Sequence, residues 1–414
     1  MQAAASKLIG ASRLVLILLA LMIALPAFVM GAEISHALGA TRAVQAYLMG
    51  GAILGSIAAM TGAAGALKRC TTYELIADAF GRRGALVANS VLGFSLLGWY
   101  GVIATMFGHA LAAVGTQLSA QPPWLLALAG CILTTATAMV GFKALNWLSM
   151  VTTPLKILLL AWTFGAALRG GFDALWAYVP ATATPLGSGT SMVVGGLIVG
   201  AVLAPDVCRF VLTPRRAALG AGVAYGLGFP MVLILSGLPS LVSGERDMVN
   251  IMLALGLGVP AMLTVILTAW STNAFNLYAA TLVAETLAPR QPAWRLALGA
   301  GVIGTVMGLF GISDLLLPYL LWLSIAIPPI AGIYLVNVKL GNAGGADLWR
   351  FDALVSWVIG SGWTALAPRW DLALTPVAAL DSILVSAVAY ALLRWTLKRA
   401  VSGKAPSALV SARE

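Results

Sequence analysis

Leu14-Val15-Leu16-Ile17-Leu18-Leu19-Ala20-Leu21-Met22-Ile23-Ala24-Leu25-Pro26-Ala27-Phe28-Val29-Met30-Gly31-Ala32 is a run without a single charged side chain. An α-helix needs about 20 such residues to cross the roughly 30 Å of hydrocarbon in a bilayer. Arg13 precedes the run and small residues follow it, which is also the outline of a cleaved secretory leader. Comparable runs recur along the whole chain, so this one reads as the first of many membrane helices. Its Pro26 is a candidate break, because proline removes a backbone donor from the helical ladder, though proline is frequent in membrane helices generally.

Outward from that run, twelve apolar stretches are each long enough to span: 12–36, 43–66, 84–114, 123–142, 145–168, 190–211, 217–242, 256–287, 295–311, 314–338, 353–368 and 376–396. The stretches 84–114 and 256–287 exceed the minimum, which implies tilt or extension beyond the bilayer rather than extra crossings. Composition agrees. Of 414 residues 60% are apolar and 9% charged, against about 25% charged in an ordinary soluble chain. A single soluble core also stops growing at roughly 250–300 residues. The whole chain, 1–414, therefore reads as one all-α integral membrane domain whose main partner is the lipid bilayer.

The formal charge of +10 does not point to nucleic acid, because the basic residues form no stripe and have no interleaved aromatics. Topology accounts for them, since Lys and Arg concentrate in cytoplasmic loops. With the N-terminus inside, nineteen basic residues, from Lys7 and Arg13 to Lys404 and Arg413, fall on the inner side. Only Arg42, Arg169, Arg246 and Arg369 fall outside, and Lys156 lies within a span. Both termini are expected in the cytoplasm, which requires an even number of helices. Cys70, Cys131 and Cys208 are too few and too scattered for a disulfide framework or a metal knuckle and read as packing or loop thiols.

Ionisable groups inside spans are costly, so each is a functional hypothesis. Lys156 lies about eleven residues into the fifth stretch, two after Pro154, too deep for its stem to reach either interface comfortably. It is either paired for packing or a buried amine that loads and releases a proton, standing where a metal cation would otherwise sit. Glu33 and His36 share a helical face and read as a structural pair at an interface, ahead of a proton relay. His109 reads as a hydrogen-bonded bundle histidine, and Asp206 with Arg209 as a local ion pair or an inner gate. The eighth stretch holds the densest polar run: Thr268, Trp270, Ser271, Thr272, Asn273 and Asn276. Its hydroxyls at 268, 271 and 272 follow i, i+3, i+4 spacing and face one direction. They either supply hard oxygens to a small cation or glue helices together.

A spanning helix can unwind only where protein or a water-filled cavity receives the freed backbone groups. Two interruptions stand at corresponding places, at the first helices of two successive five-helix blocks: Pro26, and the run Gly195-Gly196-Leu197-Ile198-Val199-Gly200. Paired interruptions of this kind are the best sequence pointer to a transporter binding site.

Several separated motifs then agree, in order, with a known family. They are Gly98-Trp99-Tyr100-Gly101, Val193-Val194-Gly195, Asp206-Val207-Cys208-Arg209-Phe210, Ala269-Trp270-Ser271-Thr272-Asn273 with Leu277-Tyr278-Ala279, and Leu323-Ser324-Ile325-Ala326-Ile327-Pro328-Pro329. Over roughly the first ten helices the chain resembles the nucleobase:cation symport family of cytosine, purine, hydantoin, allantoin and thiamine-precursor permeases, and most of all the bacterial cytosine permeases.

The resemblance implies a five-plus-five inverted-repeat, leucine-transporter-like fold, with repeats at 12–168 and 190–338. Two peripheral helices (353–396) and a cytoplasmic tail (397–414) complete it. It implies a bacterial inner-membrane symporter with alternating access, a small heterocyclic substrate and a coupling cation, Na⁺ or H⁺, with no other cofactor. Trp99 takes the place of the family's stacking tryptophan. In sodium-coupled relatives the ion sits between backbone carbonyls of helix 1, here near Ala20 and Ile23, and helix 8 oxygens, here the Thr268 carbonyl with the Ser271 and Thr272 hydroxyls.

Departures from the pattern matter as much. Leu96 stands where cytosine-reading members place an amide, and a second family aromatic falls at Leu197. Neighbouring hydrogen-bonding side chains fall at Gly196 and Val199, which leaves Asn273 as the remaining amide reader. The pocket is expected to be roomier and more apolar, which argues for a substrate different from or less polar than cytosine. Lys156 replaces an apolar residue, and proton-coupled members of the wider superfamily can replace sodium with an ammonium on this helix. Two rivals remain: an amino-acid permease of the same fold, against which the stacking tryptophan argues, and a non-transporting membrane receptor. An enzyme is not expected, since no span carries a paired-histidine metal motif, a Gly-x-Ser-x-Gly turn or clustered carboxylates.

Overall fold

The computed structural model describes residues 8–113, 121–170, 173–180, 184–312, 319, 322–323, 325–341 and 347–402. Lys7, Lys404, Arg413, Ser324, the opening residues of the expected span 314–338 and the tail from 403 lie outside the described residues. What is described is almost wholly helical. Eleven of the twelve expected stretches are helical over most of their length.

Three prolines decide where helices break. Helix α1 (Ala11–Met22) and helix α2 (Leu25–Lys68) are joined by Ile23 and Ala24, which leave the helical conformation. Pro26 cannot donate to the carbonyl four residues earlier, and its ring collides with it. That residue is Met22, where α1 stops. As the second residue of α2, Pro26 loses nothing, because first-turn donors have no helical partner. The break thus falls just before Pro26. Helix α2 bends again at Gly39, whose φ of 72° suits glycine, so its length supplies two crossing segments.

The second expected break is displaced. Gly195–Gly200 is helical throughout, inside α8 (Leu186–Val202), and the interruption comes at Leu203 and Ala204, before α9 (Pro205–Cys208). Glycine weakens a helix by about 1 kcal/mol, which packing can offset. Pro205 instead strikes the carbonyl of Ala201, one residue short of where α8 ends. A third proline, Pro230, follows a π-helical turn at Ala224–Gly228 that joins α10 (Pro214–Val223) to α11 (Phe229–Ser243).

Between these lie α3 (Thr72–Phe80), started by a Thr71–Glu74 capping box, α4 (Arg82–Ala113), α5 (Pro123–Val140), α6 (Phe142–Ala167) and α7 (Asp173–Ala177). After them come α12 (Met248–Ala254), α13 (Gly258–Leu287), α14 (Ala293–Leu309), α15 (Pro328–Leu340), α16 (Phe351–Leu366) and α17 (Ala378–Ser402). Helix α17 runs past 397, so the tail begins later than expected. The two broken helices meet: α2 packs chiefly on α8 and α11, and α4 on α13, while α16 and α17 pack on each other and on α15.

Seven described helices are long and apolar enough to cross a membrane by length and composition. Large apolar side chains such as Ile132, Leu158 and Val358 point outward, each about two-thirds exposed. Apolar exposure on this scale belongs against lipid rather than water. Three expected polar pairings are corrected. Glu33 pairs with Arg246 (2.8 Å), not with His36, whose Nδ1 meets the Tyr178 hydroxyl at 2.9 Å. His109 is exposed, and among the described residues it makes no hydrogen bond within the bundle. Asp206 and Arg209 form no ion pair with each other among the described residues; each bonds elsewhere.

Candidate functional site

The end of α1 creates a polar demand within the protein interior. The last carbonyls of any helix lack intrahelical donors, and at this end the backbone leaves the helix at once. Lys156, from the middle of α6 and fully buried, answers that demand. Its Nζ donates to the Ala20 carbonyl at 2.6 Å, the Ile23 carbonyl at 3.2 Å and the Ser271 hydroxyl of α13 at 2.8 Å. An ammonium has three donors and no acceptor, and three oxygens meet them. A cation at a helix C-terminus is also favoured by the helix dipole.

Of the residues expected around a coupling ion, the Ala20 and Ile23 carbonyls and the Ser271 hydroxyl gather on this nitrogen. The Thr268 carbonyl accepts from Ser271 Oγ at 3.3 Å, and Thr272 Oγ1 donates to the Leu21 carbonyl at 3.4 Å. A sodium ion drawing on Ala20 and Ile23 would compete with Nζ for the same lone pairs and meet its charge at contact distance. With Lys156 so placed, the oxygen set does not fit a sodium ion.

Beside this knot lies a cavity of about 760 Å³, within the roughly 300–1,000 Å³ usual for small-molecule sites. It extends from Glu33, Ser188 and Pro376 to Asp206 and Tyr278. Trp99, Leu96, Gly196, Leu197, Val199 and Thr272 all line it. Trp99 is half-buried and meets Tyr319 in a T-shaped contact, with centroids 5.7 Å apart. Asn273 does not line this cavity. Its Nδ2 donates to the Tyr100 carbonyl at 3.0 Å, and it borders a separate small void with Trp270 and Thr134. Asn276, three residues on, does line it. So does Met30, whose sulfur takes the space that a Cβ on Gly196 would need. Asn276 belongs to the polar run visible in the sequence; nothing in the sequence singles out Met30.

Several contacts tie together the elements around the Asp206 end of the cavity. Asp206 Oδ1 accepts from the Thr72 N–H at the start of α3 (2.7 Å), and Arg209 donates to the Tyr278 hydroxyl (3.2 Å). Phe142 stacks on Phe210, and Ile9 exchanges backbone bonds with Phe210 and Leu212. Arg69 donates to the carbonyls of Arg209, Val211 and Leu212. Burial, together with the Glu74 and Asp78 carboxylates, pushes the nearby Cys70 thiol up to about 12, so it is an inert packing thiol. All three cysteines are free.

Two broken helices packed together beside a cavity of small-molecule size, with a polar knot at one break, are the features of a secondary transporter. Residues 6–343 match the family described as permeases for cytosine/purines, uracil, thiamine and allantoin, and the chain belongs to that family. The cytosine permease of Escherichia coli (strain K12) is 29% identical over 365 residues, 86% of this chain and 84% of that protein. Among solved structures, Mhp1, a nucleobase-cation-symport-1 family transporter, in a closed conformation with bromovinylhydantoin bound, superposes with a TM-score of 0.82. That match has 18% identity and covers 95% of this chain and 94% of the other. The inward-facing conformation of Mhp1 superposes with a TM-score of 0.77 at the same identity, over 96% and 95%. The fold is therefore that of these transporters.

Proposed function

We propose that this permease imports a flat, nucleobase-like heterocycle together with a proton carried on Lys156. The observation that carries the reading is the Lys156 ammonium, whose three donors are satisfied by the oxygens that would otherwise hold a sodium ion. While protonated, it ties α1, α6 and α13 together. Once the proton leaves Nζ, one donor is lost and the tie loosens, which couples proton release to movement of α1. The ring rests on the Trp99 indole, a planar π-face that selects flat partners. Asn276, Ser188 and Ser191 supply polar contacts, while Leu96, Leu197 and Val199 form an apolar wall. A cytosine-, purine- or hydroxymethylpyrimidine-type substrate with apolar substituents suits this wall better than cytosine itself.

The same reading takes the chain as two inverted repeats, 12–168 and 190–338, with peripheral helices at 353–396. Both termini lie in the cytoplasm, and the Asp206 end of the cavity faces inward. A thermal-shift screen of the purified protein against pyrimidines, purines, hydantoins, thiamine precursors and amino acids, each with and without sodium, tests it. Ligand at 100 times its Kd stabilises by about 2.7 kcal/mol. Stabilisation by a heterocycle irrespective of sodium is expected; stabilisation by amino acids alone, or only with sodium, contradicts the reading.

A further inference from the structure

The α8 side of the cavity is floored by glycine. Gly195, Gly196 and Gly200 all line it, and at the last two a neighbouring helix fills the space that a side chain would need. At Gly200 the occupant is the Tyr225 hydroxyl, 2.8 Å from where a Cβ would stand. Tyr225 belongs to the π-helical turn between α10 and α11 and is fully buried, hydroxyl included, so that notch is closed to a ligand. At Gly196 the occupant is the end of Met30. Its sulfur takes the Cβ position and its methyl lies 2.9 Å away. Unlike Tyr225, Met30 is only partly buried and itself lines the cavity, so this occupant has open space to move into.

The two plugs also differ in stiffness. A methionine side chain is unbranched, with three rotatable bonds and a polarizable thioether that adapts to irregular gaps. Nothing else fills the Gly196 notch. Apart from the backbone of α8 and the adjoining residues, the Met30 sulfur and methyl are the only described atoms within 4 Å of that Cβ position. When the thioether swings away, a recess of methyl size opens onto the cavity in the apolar wall. Rotamer changes of this kind are common on binding even where the backbone hardly moves.

We propose that Met30 and Gly196 form a subsite of the substrate cavity: the thioether is a movable plug over the Gly196 notch, which takes an apolar substituent of about methyl size carried on the heterocycle. This rests on the reading of the chain as a heterocycle permease and narrows the substrate class. A flat ring with a small apolar group on its edge fits better than the bare ring.

The test measures binding of four matched pairs to the full-length protein in detergent: uracil with thymine, cytosine with 5-methylcytosine, hydantoin with 5-methylhydantoin, and adenine with 8-methyladenine. For whichever pair the parent binds, the methylated member binds about fourfold tighter, the worth of one buried CH₂. Met30→Ala removes the plug and raises that preference to about tenfold or more. Gly196→Ala puts a methyl into the notch and abolishes it. Each preference is a ratio taken on one preparation, so a variant that folds less completely leaves it unmoved. Equal affinities within every pair for the parent, or a preference that neither Met30→Ala nor Gly196→Ala alters, overturns the proposal and leaves the permease reading standing. A parent that binds none of the eight compounds overturns the proposal, and one that binds amino acids instead overturns the permease reading with it.

Discussion

The Lys156 knot and the Tyr225 wall are both buried polar sites beside the same cavity, yet one is saturated and the other is not. Around Lys156 every donor has an acceptor. At Tyr225 the hydroxyl has none among the described residues. A protein interior tolerates unmet polar groups poorly. On the proposed reading, the cation position is filled by the Lys156 side chain.

Breaking the saturated site should have the largest effect. Lys156→Met keeps the stem but strips three buried oxygens of their donor, and is expected to destabilise the protein by about 3 kcal/mol or more. It should also abolish proton-driven accumulation, measured as uptake against sodium and pH gradients; unchanged proton dependence would remove Lys156 from the mechanism. Trp99→Ala removes the ring's platform from the cavity. Stacking of a base on an aromatic contributes roughly 1–3 kcal/mol, so affinity should fall about tenfold to a hundredfold with little change in apo stability. Equal binding by the variant would show that the cavity does not hold its ligand against the indole.

Smaller changes sharpen the contrast. Gly196→Ser displaces the flexible Met30 thioether and restores a hydroxyl to the wall, so polar substrates such as cytosine should gain a few-fold in affinity, by roughly 0.5–1.5 kcal/mol, in a competition assay. The smallest effect belongs to Arg246→Ala. Its pair with Glu33 is about half exposed, and such surface pairs contribute about 0–1 kcal/mol. A melting-temperature change as large as that of Lys156→Met would mean that burial does not distinguish the two cations.

Much of the fold was legible because lipid imposes a coarse requirement, about 20 apolar residues per crossing, and the loops carry charge. Break positions were less so. The run Gly195–Gly200 drew attention, yet Pro205 sets the break, since a missing donor and a ring clash outweigh lower helix propensity. Within the site, Lys156, Ser271 and Trp99 stood out by residue type and setting. Asn273 and Asn276 lie only about 60° apart around one helix, given 3.6 residues per turn. Which of them meets the cavity depends on the tilt of α13 against α4, and no sequence period reports that. Tyr225 was hidden for a related reason: the π-turn shifts the helical register across it, so face assignments made at 3.6 residues per turn fail there.

On the proposed reading, the chain carries its own cation, the Lys156 ammonium, at the end of α1. Uptake of a bound heterocycle into liposomes, driven by an imposed pH gradient with sodium replaced throughout by choline, tests it most directly. Full accumulation in choline that collapses when the pH gradient is dissipated is the expected result. Accumulation that requires an inward sodium gradient and ignores pH would contradict it.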